Sequence, residues 1–521
     1  MKIQIEKVLI SDPIDPAAIQ ILRERNIHCE VATGLSPNEL INIIKDYDAL
    51  IVRSGTQVTK DVIDAGKNLK LIGRAGVGVD NIDCRAATRA GIIVINAPAG
   101  NTISAVELTC SMILSTARLV PQACQSLKSG KWDRKTFMGN EIKDKTLAII
   151  GLGRIGREVA HRMQSFGMKT IGFDPLVSVE QAKEFGVESL SLNEIWPQAD
   201  FITVHTPLIP QTKNMINTET LQKCKKGVRI INVARGGIID ENDLLMALKS
   251  GHCSGAGLDV YMEEPPKNRE LIEHPLVVCT PHLGASTKEA QNNVAKEIAL
   301  QFLDIMDGKS VAGVVNAPLL SEMLKHQNLL WTRLGRNLGM LAAMDSPSSS
   351  SLKLFINGNE ARKVAKLIRE TVLVGFLRIK TGKEVKLISA SDLAADMNID
   401  LKLELPESSG HCCFSKICLK TDSGNEYMGI PQGRRSYLIE MNGHQFEPVI
   451  SMESHLTFFQ LKNSSDYELL IQSLSNQMMM MIKSITKSVD NLLIAIHSTE
   501  SLQSLPKENQ DYIKVIRLNF S

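Results

Sequence analysis

The stretch GLGRIGREVAHRMQSFGMKTIGFD, residues 151–174, limits what this chain can fold into more than any other. An apolar run, TLAIIG, leads into three glycines, Gly151, Gly153 and Gly156, and an amphipathic helix follows. In such a strand–turn–helix unit the first glycine permits a tight turn. The second lets the backbone approach a pyrophosphate, and the third lets helix and strand pack closely. The helix N-terminus adds N–H donors and a favourable dipole for that anion. Asp174 closes the next apolar segment, KTIGFD, 18 residues after Gly156. A carboxylate there accepts from both ribose hydroxyls and repels a 2′-phosphate, which favours NAD over NADP. With strand, helix and acid all in place, the glycine pattern is a specific signal.

The unit lies in mid-chain. Before it, the apolar segments KVLISD (7–12), HCEVAT (28–33), DALIVRS (48–54), LKLIGRAG (69–76) and IIVINAP (92–98) alternate with amphipathic stretches. That rhythm predicts an α/β fold, a parallel sheet with helices on both faces. At 100–121 it breaks into a long apolar helix, with Ser104 and Glu107 spaced as a capping box. A helix so apolar is expected to pack against another domain or subunit. A second set of βα units runs from KDKTLAIIG to VVCTPHLGAS (277–286), and TKEAQNNVAKEIALQFLDIMDG ends it as a helix.

The segment MDSPSSSS (344–351) reads as a linker. Beyond it come a strand LKLFI, a helix over 359–374, and β-rich stretches with DSG and NG turn signals. HLTFFQL, DYELLIQSLSNQMMM, IKSIT, NLLIAI, TESLQSLPKENQDY and IKVIRLNF then give the order βαββαβ, a ferredoxin-like unit. Met478–Met481 read as helix-packing core.

Composition narrows the function. A net charge of +2 argues against nonspecific nucleic-acid binding. Ten scattered cysteines without C-x-x-C fit free thiols in a reducing, cytoplasmic setting and no metal site. No apolar run approaches the ~18 residues of a membrane span, and MKIQIEKVLISDP lacks the apolar region of a signal peptide.

Three polar residues stand at the ends of later apolar strands: Arg235 in INVARGG, Glu264 in YMEEPP and His282 in TPHLG. Ligands of open α/β sheets lie at such strand ends. Oxidising a secondary alcohol with NAD needs a base, a group that orients that base, and a cation that holds the substrate. Histidine suits the first task, a carboxylate the second, and the forked donors of arginine the third.

The ordered motifs LIGRAGVGVDNID, INAPAGNT, GLGRIGREVA, VHTPL, NVARGGIIDE, GAGLDVYMEEPP and TPHLGASTKEAQ resemble the D-isomer-specific 2-hydroxyacid dehydrogenases over residues 5–315. The likeness is strongest to the long, animal-type members that oxidise 3-phosphoglycerate at the entry to serine biosynthesis. It implies a discontinuous substrate domain (1–98 and 287–315) with a Rossmann domain (99–286) inserted in it and the active site between them. An intervening α+β domain (316–450) and an ACT-like domain (451–521) would follow. By position, His282 would be the general acid/base, Glu264 its partner and Arg235 the substrate-orienting cation. Gly151, Gly153, Arg154, Ile155 and Gly156 would surround the pyrophosphate, and Asp174 the ribose. Thr206, Val233, Ala234, Asp259, Leu283, Gly284 and Ala285 would line the nicotinamide side, with Val77 where relatives can carry threonine. Arg53, Ser54 and Arg74 would meet the substrate phosphate, joined by Arg134 from a neighbouring subunit. The family resemblance implies a tetramer, and the apolar helix over 102–120 a dimer through the nucleotide domains. The loop LKNSSDYE lacks the Asp-x-Pro-Gly turn of serine-responsive forms, so serine feedback is not expected. Alternatives are a glyoxylate/hydroxypyruvate reductase of the same fold, or a non-catalytic NAD-sensing scaffold like the corepressors that share it.

Overall fold

A computed structural model describes residues 3–406, 415–453, 455–461, 480–487, 492–498 and 512–520. The first five apolar segments form β1 (Lys7–Ile10), β2 (His28–Val31), β3 (Ala49–Val52), β4 (Leu71–Arg74) and β5 (Ile93–Asn96). They pair in parallel in the order β2-β1-β3-β4-β5. Both faces are covered, so the central strands read as unbroken apolar runs; Ala49–Val52 are all fully buried.

The next strands are β6 (Thr146–Ile150), β7 (Lys169–Phe173), β8 (Glu188–Ser189), β9 (Phe201–Val204), β10 (Val228–Asn232), β11 (Cys253–Leu258) and β12 (Val277–Cys279). Their order is β12-β11-β10-β9-β6-β7-β8. This is the doubly wound Rossmann arrangement, and its reversal point lies between β6 and β9.

The chain then returns to the first lobe. Helix Lys288–Met306, capped by the Thr287 hydroxyl on Ala290 N–H at 3.1 Å, buries Ile298, Ala299 and Phe302 in the first core. A following segment lies along β5, where Val315 N–H donates to the Val94 carbonyl at 2.9 Å. Ala317 and Leu320 belong to the same core, slightly past the boundary expected at 315. The two crossings between lobes touch each other through the Ser104 and Thr287 hydroxyls at 2.7 Å.

That contact corrects one expectation. Ser104 does not cap the long helix, which starts at Thr102 after Asn101 with no side-chain cap. The helix Thr102–Arg118 hides Val106, Met112, Ile113 and Ala117 within its own lobe. Its apolar character is therefore largely satisfied inside the chain. Leu119, at φ 52°, ends it, and a short helix Val120–Lys128 leaves at 66°. No single described helix is long and apolar enough to cross a membrane.

The stretch 344–351 is not a linker. It turns between helix Leu329–Asp345, which the sequence reading passes over, and β13 (Ser351–Asn357). Ser346 and Ser349 are buried, and Asp422 accepts from Ser349 Oγ at 2.6 Å and from the N–H groups of Ser350 and Ser351 at 3.1 and 3.0 Å. Serine-rich sequence can thus be core turn where an acid gathers its donors. The helix escaped notice because Gly335 and Gly339 lower helix propensity. Those glycines let it cross helix Ala365–Thr381 closely; a Cβ at Gly339 would overlap the Val372 carbonyl.

The third sheet adds β14 (Asp400–Glu404), β15 (Lys416–Thr421), β16 (Glu426–Gln432), β17 (Arg435–Met441) and β18 (His444–Ser451), in the order β14-β13-β15-β16-β17-β18. Its NG turn is as expected, with Asn442 and Gly443 at φ 52° and 80°. A fourth sheet of β19 (His455–Leu461), β20 (Met480–Lys487), β21 (Leu492–Ser498) and β22 (Tyr512–Asn519) runs β20-β21-β19-β22, all antiparallel. That order and sense are those of a split βαβ unit. Its two expected helices lie outside the described residues, as do Met478 and Met479. Met480 and Met481 fall in β20, so the methionine run is not wholly helical; its backbone enters a sheet there. The third and fourth sheets share one hydrophobic core that joins Leu338 and Phe376 to Leu456, Phe458 and Ile516.

Candidate active site

The glycine turn sits at the reversal point of the second sheet. Gly151 follows β6 at φ 98°, a left-handed value that a side chain rarely adopts, and a Cβ there would crowd the His205 carbonyl at 2.5 Å. Gly156 faces the Gly151 carbonyl so closely that a Cβ would overlap it, while Gly153 has open space beside it. Gly153 is also the N-cap of helix Arg154–Ser165, with no side chain on its first N–H groups. Those donors stay available for an anion. Arg154 and Ile155 open the helix, Arg154 exposed.

Asp174, just past β7, accepts from Leu152 N–H at 2.8 Å and Leu176 N–H at 2.9 Å, so the expected ribose acid also braces the glycine turn. Across the reversal point, Thr206 Oγ1 is buried with no hydrogen-bond partner among the described residues. A buried hydroxyl left unmatched has a cost that a ligand can relieve. The open helix start, the space at Gly153 and the unmatched Thr206 together fit a dinucleotide.

The three reaction candidates meet on the neighbouring strand ends. His282 Nδ1 lies 2.7 Å from Glu264 Oε2, and both side chains remain partly exposed. His282 has φ 54°, uncommon for a residue with a Cβ, and such strain persists only where surroundings impose it. Asp259, fully buried after β11, imposes it. Its carboxylate accepts from Thr280 Oγ1 at 2.6 Å, Leu283 N–H at 2.6 Å and Gly284 N–H at 2.8 Å, and its carbonyl accepts from His282 N–H at 2.9 Å. Gly284 packs on Val233, and Ala285 accepts from Gln291 at 2.8 Å. Glu264 Oε1 accepts from Tyr261 N–H at 3.2 Å.

Arg235 leaves the end of β10 through Val233 and Ala234. Asn232 clamps that turn, accepting from Ala234 N–H at 3.0 Å and donating to the Arg235 carbonyl at 2.8 Å. The Arg235 guanidinium donates from Nη1 to the Ala234 carbonyl at 2.6 Å and from Nε to Asp80 Oδ2 at 3.1 Å. Asp80 belongs to the first lobe, so this pair bridges the cleft.

On the first lobe, Arg53 and Arg74 stand at the ends of β3 and β4, with Ser54 exposed beside Arg53. Arg53 Nε and Arg74 Nε are buried without partners among the described residues. Burial and the neighbouring Arg235 guanidinium push Arg74 down to about 10, and burial pushes Arg53 down as well. A rim of crowded guanidiniums with unmatched donors is suited to an anion. Val77 lies between the rims and is held by Asn96 Nδ2 on its carbonyl at 2.5 Å. Arg134 does not join the group within one chain. It lies on an exposed stretch beside Trp132 and Met138, which are 79% and 80% exposed.

Sequence reasoning missed the residues that aim these groups: Asp12, Asp80, Asn81 and Asn232. Asp12 accepts from Arg53 N–H at 2.6 Å and Asn81 donates to the Arg53 carbonyl at 2.7 Å. Asp80, Asn81 and Asn232 fall inside the motifs LIGRAGVGVDNID and NVARGGIIDE, though nothing in those motifs marks them as partners, and Asp12 lies outside both.

Fold and site together define an NAD-binding dehydrogenase, and residues 110–284 match the family described as D-isomer specific 2-hydroxyacid dehydrogenase, NAD binding domain. The chain belongs to the D-3-phosphoglycerate dehydrogenase family within that class: it is 46% identical over 458 residues to the D-3-phosphoglycerate dehydrogenase of Homo sapiens, covering 87% of this chain and 86% of the relative. The enzyme of that name from Bacillus subtilis is 43% identical over 413 residues, 78% of each chain. Among solved structures, a D-lactate dehydrogenase from Aquifex aeolicus complexed with NAD and lactic acid aligns at TM-score 0.53 and 28% identity, over 58% of this chain and 96% of that one. A glyoxylate reductase from Paecilomyes thermophila aligns at TM-score 0.55 and 28% identity, over 60% and 98%.

Proposed function

We propose that the chain oxidises D-3-phosphoglycerate to 3-phosphohydroxypyruvate with NAD, the entry step to serine synthesis. The observation that carries this reading is the facing of a paired His282 and Glu264, with Arg235, against an arginine rim whose Nε donors are unmatched. The Gly151–Gly156 turn, the open helix start at Arg154 and Asp174 would hold NAD, which would supply the hydride acceptor for C2 of the substrate. His282 Nδ1 donates to Glu264, so the Nε2 lone pair is left to take the C2 hydroxyl proton. Arg235 holds the carboxylate and polarises the forming carbonyl. Arg53 and Arg74 hold the phosphate, and Arg134 of a second copy completes that rim. Val120, Leu127 and Trp132, 55%, 56% and 79% exposed, are large apolar side chains left open on the nucleotide lobe and support a contact between nucleotide lobes. The eight described cysteines are free, which supports a reducing, cytoplasmic setting.

The test is NADH absorbance on adding D-3-phosphoglycerate and NAD at alkaline pH. Turnover of this acid well above that of unphosphorylated 2-hydroxy acids supports the reading. Turnover of glyoxylate alone would assign a reductase, and NAD binding without turnover of any acid would assign a sensor.

A further inference from the structure

The contact between Asp80 and Arg235 joins the two lobes across the cleft, and no step above uses it. We propose that Asp80 is a positioning residue: carried by the substrate lobe, its carboxylate fixes the guanidinium of Arg235 and ties that orientation to the approach of the two lobes. This rests on the assignment of Arg235 as the substrate-orienting cation.

Two of the guanidinium's five N–H donors have partners. Nε donates to Asp80 Oδ2 at 3.1 Å and Nη1 to the Ala234 carbonyl at 2.6 Å, while Nη2 lies beside Gly78. A Cβ at position 78 would overlap Nη2 and come within 2.6 Å of Asp80 Oδ2, so the glycine makes room for the pair. The second Nη1 hydrogen and both Nη2 hydrogens have no partner among the described residues and are left for substrate oxygens. The Asp80 side chain is 68% exposed and that of Arg235 27%. An ion pair this open contributes little to fold stability, so its effect lies in where Arg235 points. Asp80 also offsets the repulsion between Arg235 and Arg74, which would otherwise drive Arg235 away from the cleft.

The experiment compares Asp80→Asn and Asp80→Glu, each in the wild-type and Arg235→Gln backgrounds. It measures kcat and KM for the 2-hydroxy acid, NADH affinity by fluorescence, and the melting temperature. Asp80→Asn is expected to lower kcat/KM by about 10- to 100-fold, the loss that follows a small misplacement of an orienting group. NADH affinity and melting temperature should stay at wild-type values, and Asp80→Glu should recover part of the loss. In the Arg235→Gln background Asp80→Asn should have no further effect. Wild-type kcat/KM in Asp80→Asn, or the same loss in both backgrounds, would overturn the proposal. So would a fall in KM, which would make Asp80 a competitor of the substrate. If the wild type prefers a different 2-hydroxy acid, the series is run with that acid, so a wrong substrate assignment and a wrong role for Asp80 give different results.

Discussion

The two rims of the cleft are built on opposite plans. On the nucleotide lobe the residues proposed to react are already held: Glu264 on His282, Asp259 beneath the His282 turn, Asn232 on the Arg235 carbonyl. On the substrate lobe Arg53 and Arg74 crowd together with buried, unmatched Nε atoms. The difference teaches where each kind of selectivity resides. Groups that move protons are fixed before any ligand arrives, because reaction at a misplaced base is slow. Groups that recognise charge are left under-neutralised, so that an anion gains by completing them.

If that contrast is right, damage to the two rims has different signatures. His282→Ala should cost the most, lowering kcat by about 10²- to 10⁴-fold, as expected for loss of a general acid/base. NADH affinity, read by fluorescence titration, should stay near wild type; retained turnover would remove this histidine from the reaction. Arg74→Gln should raise KM for 3-phosphoglycerate by about 100-fold, the scale of a lost charge-assisted contact. The same variant should leave unphosphorylated 2-oxo acids almost unaffected. Equal losses on both substrates would mean that the substrate rim serves the chemistry and not the phosphate.

The extent to which the sequence foretold this follows from range of interaction. Parallel strands and the glycine turn were legible because each depends on neighbours along the chain: an apolar run, a tight turn, an acid at the next strand end. His282, Glu264 and Arg235 were legible as strand-end polar residues, and the structure brings His282 and Glu264 to 2.7 Å. The groups that aim them were not. Asp80 meets Arg235 across 155 positions and Asp12 meets Arg53 across 41, and no local pattern marks such partners. The serine-rich turn at 346–350 misled for the same reason, since its acid, Asp422, comes from a distant hairpin.

Smaller effects sharpen the picture of the cofactor side. Asp174→Ala should reduce the preference for NAD over NADP by about 10-fold, measured as a ratio of kcat/KM values, because both the ribose acceptor and the repulsion of a 2′-phosphate are lost. An unchanged ratio would place the ribose elsewhere. His205, partly buried after β9 with its Nε2 3.0 Å from Thr203 Oγ1, is pushed down to about 4 from 6.5 by loss of hydration. The folded protein therefore holds fewer protons than the unfolded chain between those values. This contribution is complete above pH 6.5 and lost as pH falls towards 4, by at most roughly 3 kcal/mol. Melting curves of wild type and His205→Asn should converge in acid and differ in slope between pH 7 and 4.5; parallel slopes would show that His205 takes no part.

A crystal structure of the complex with NADH and 3-phosphohydroxypyruvate tests the central claim most directly. The phosphate should sit on Arg53 and Arg74, the carboxylate on Arg235, and the C2 oxygen within hydrogen-bond reach of His282 Nε2. A phosphate bound away from both arginines, or a C2 oxygen out of reach of His282 with the lobes closed, would contradict the account.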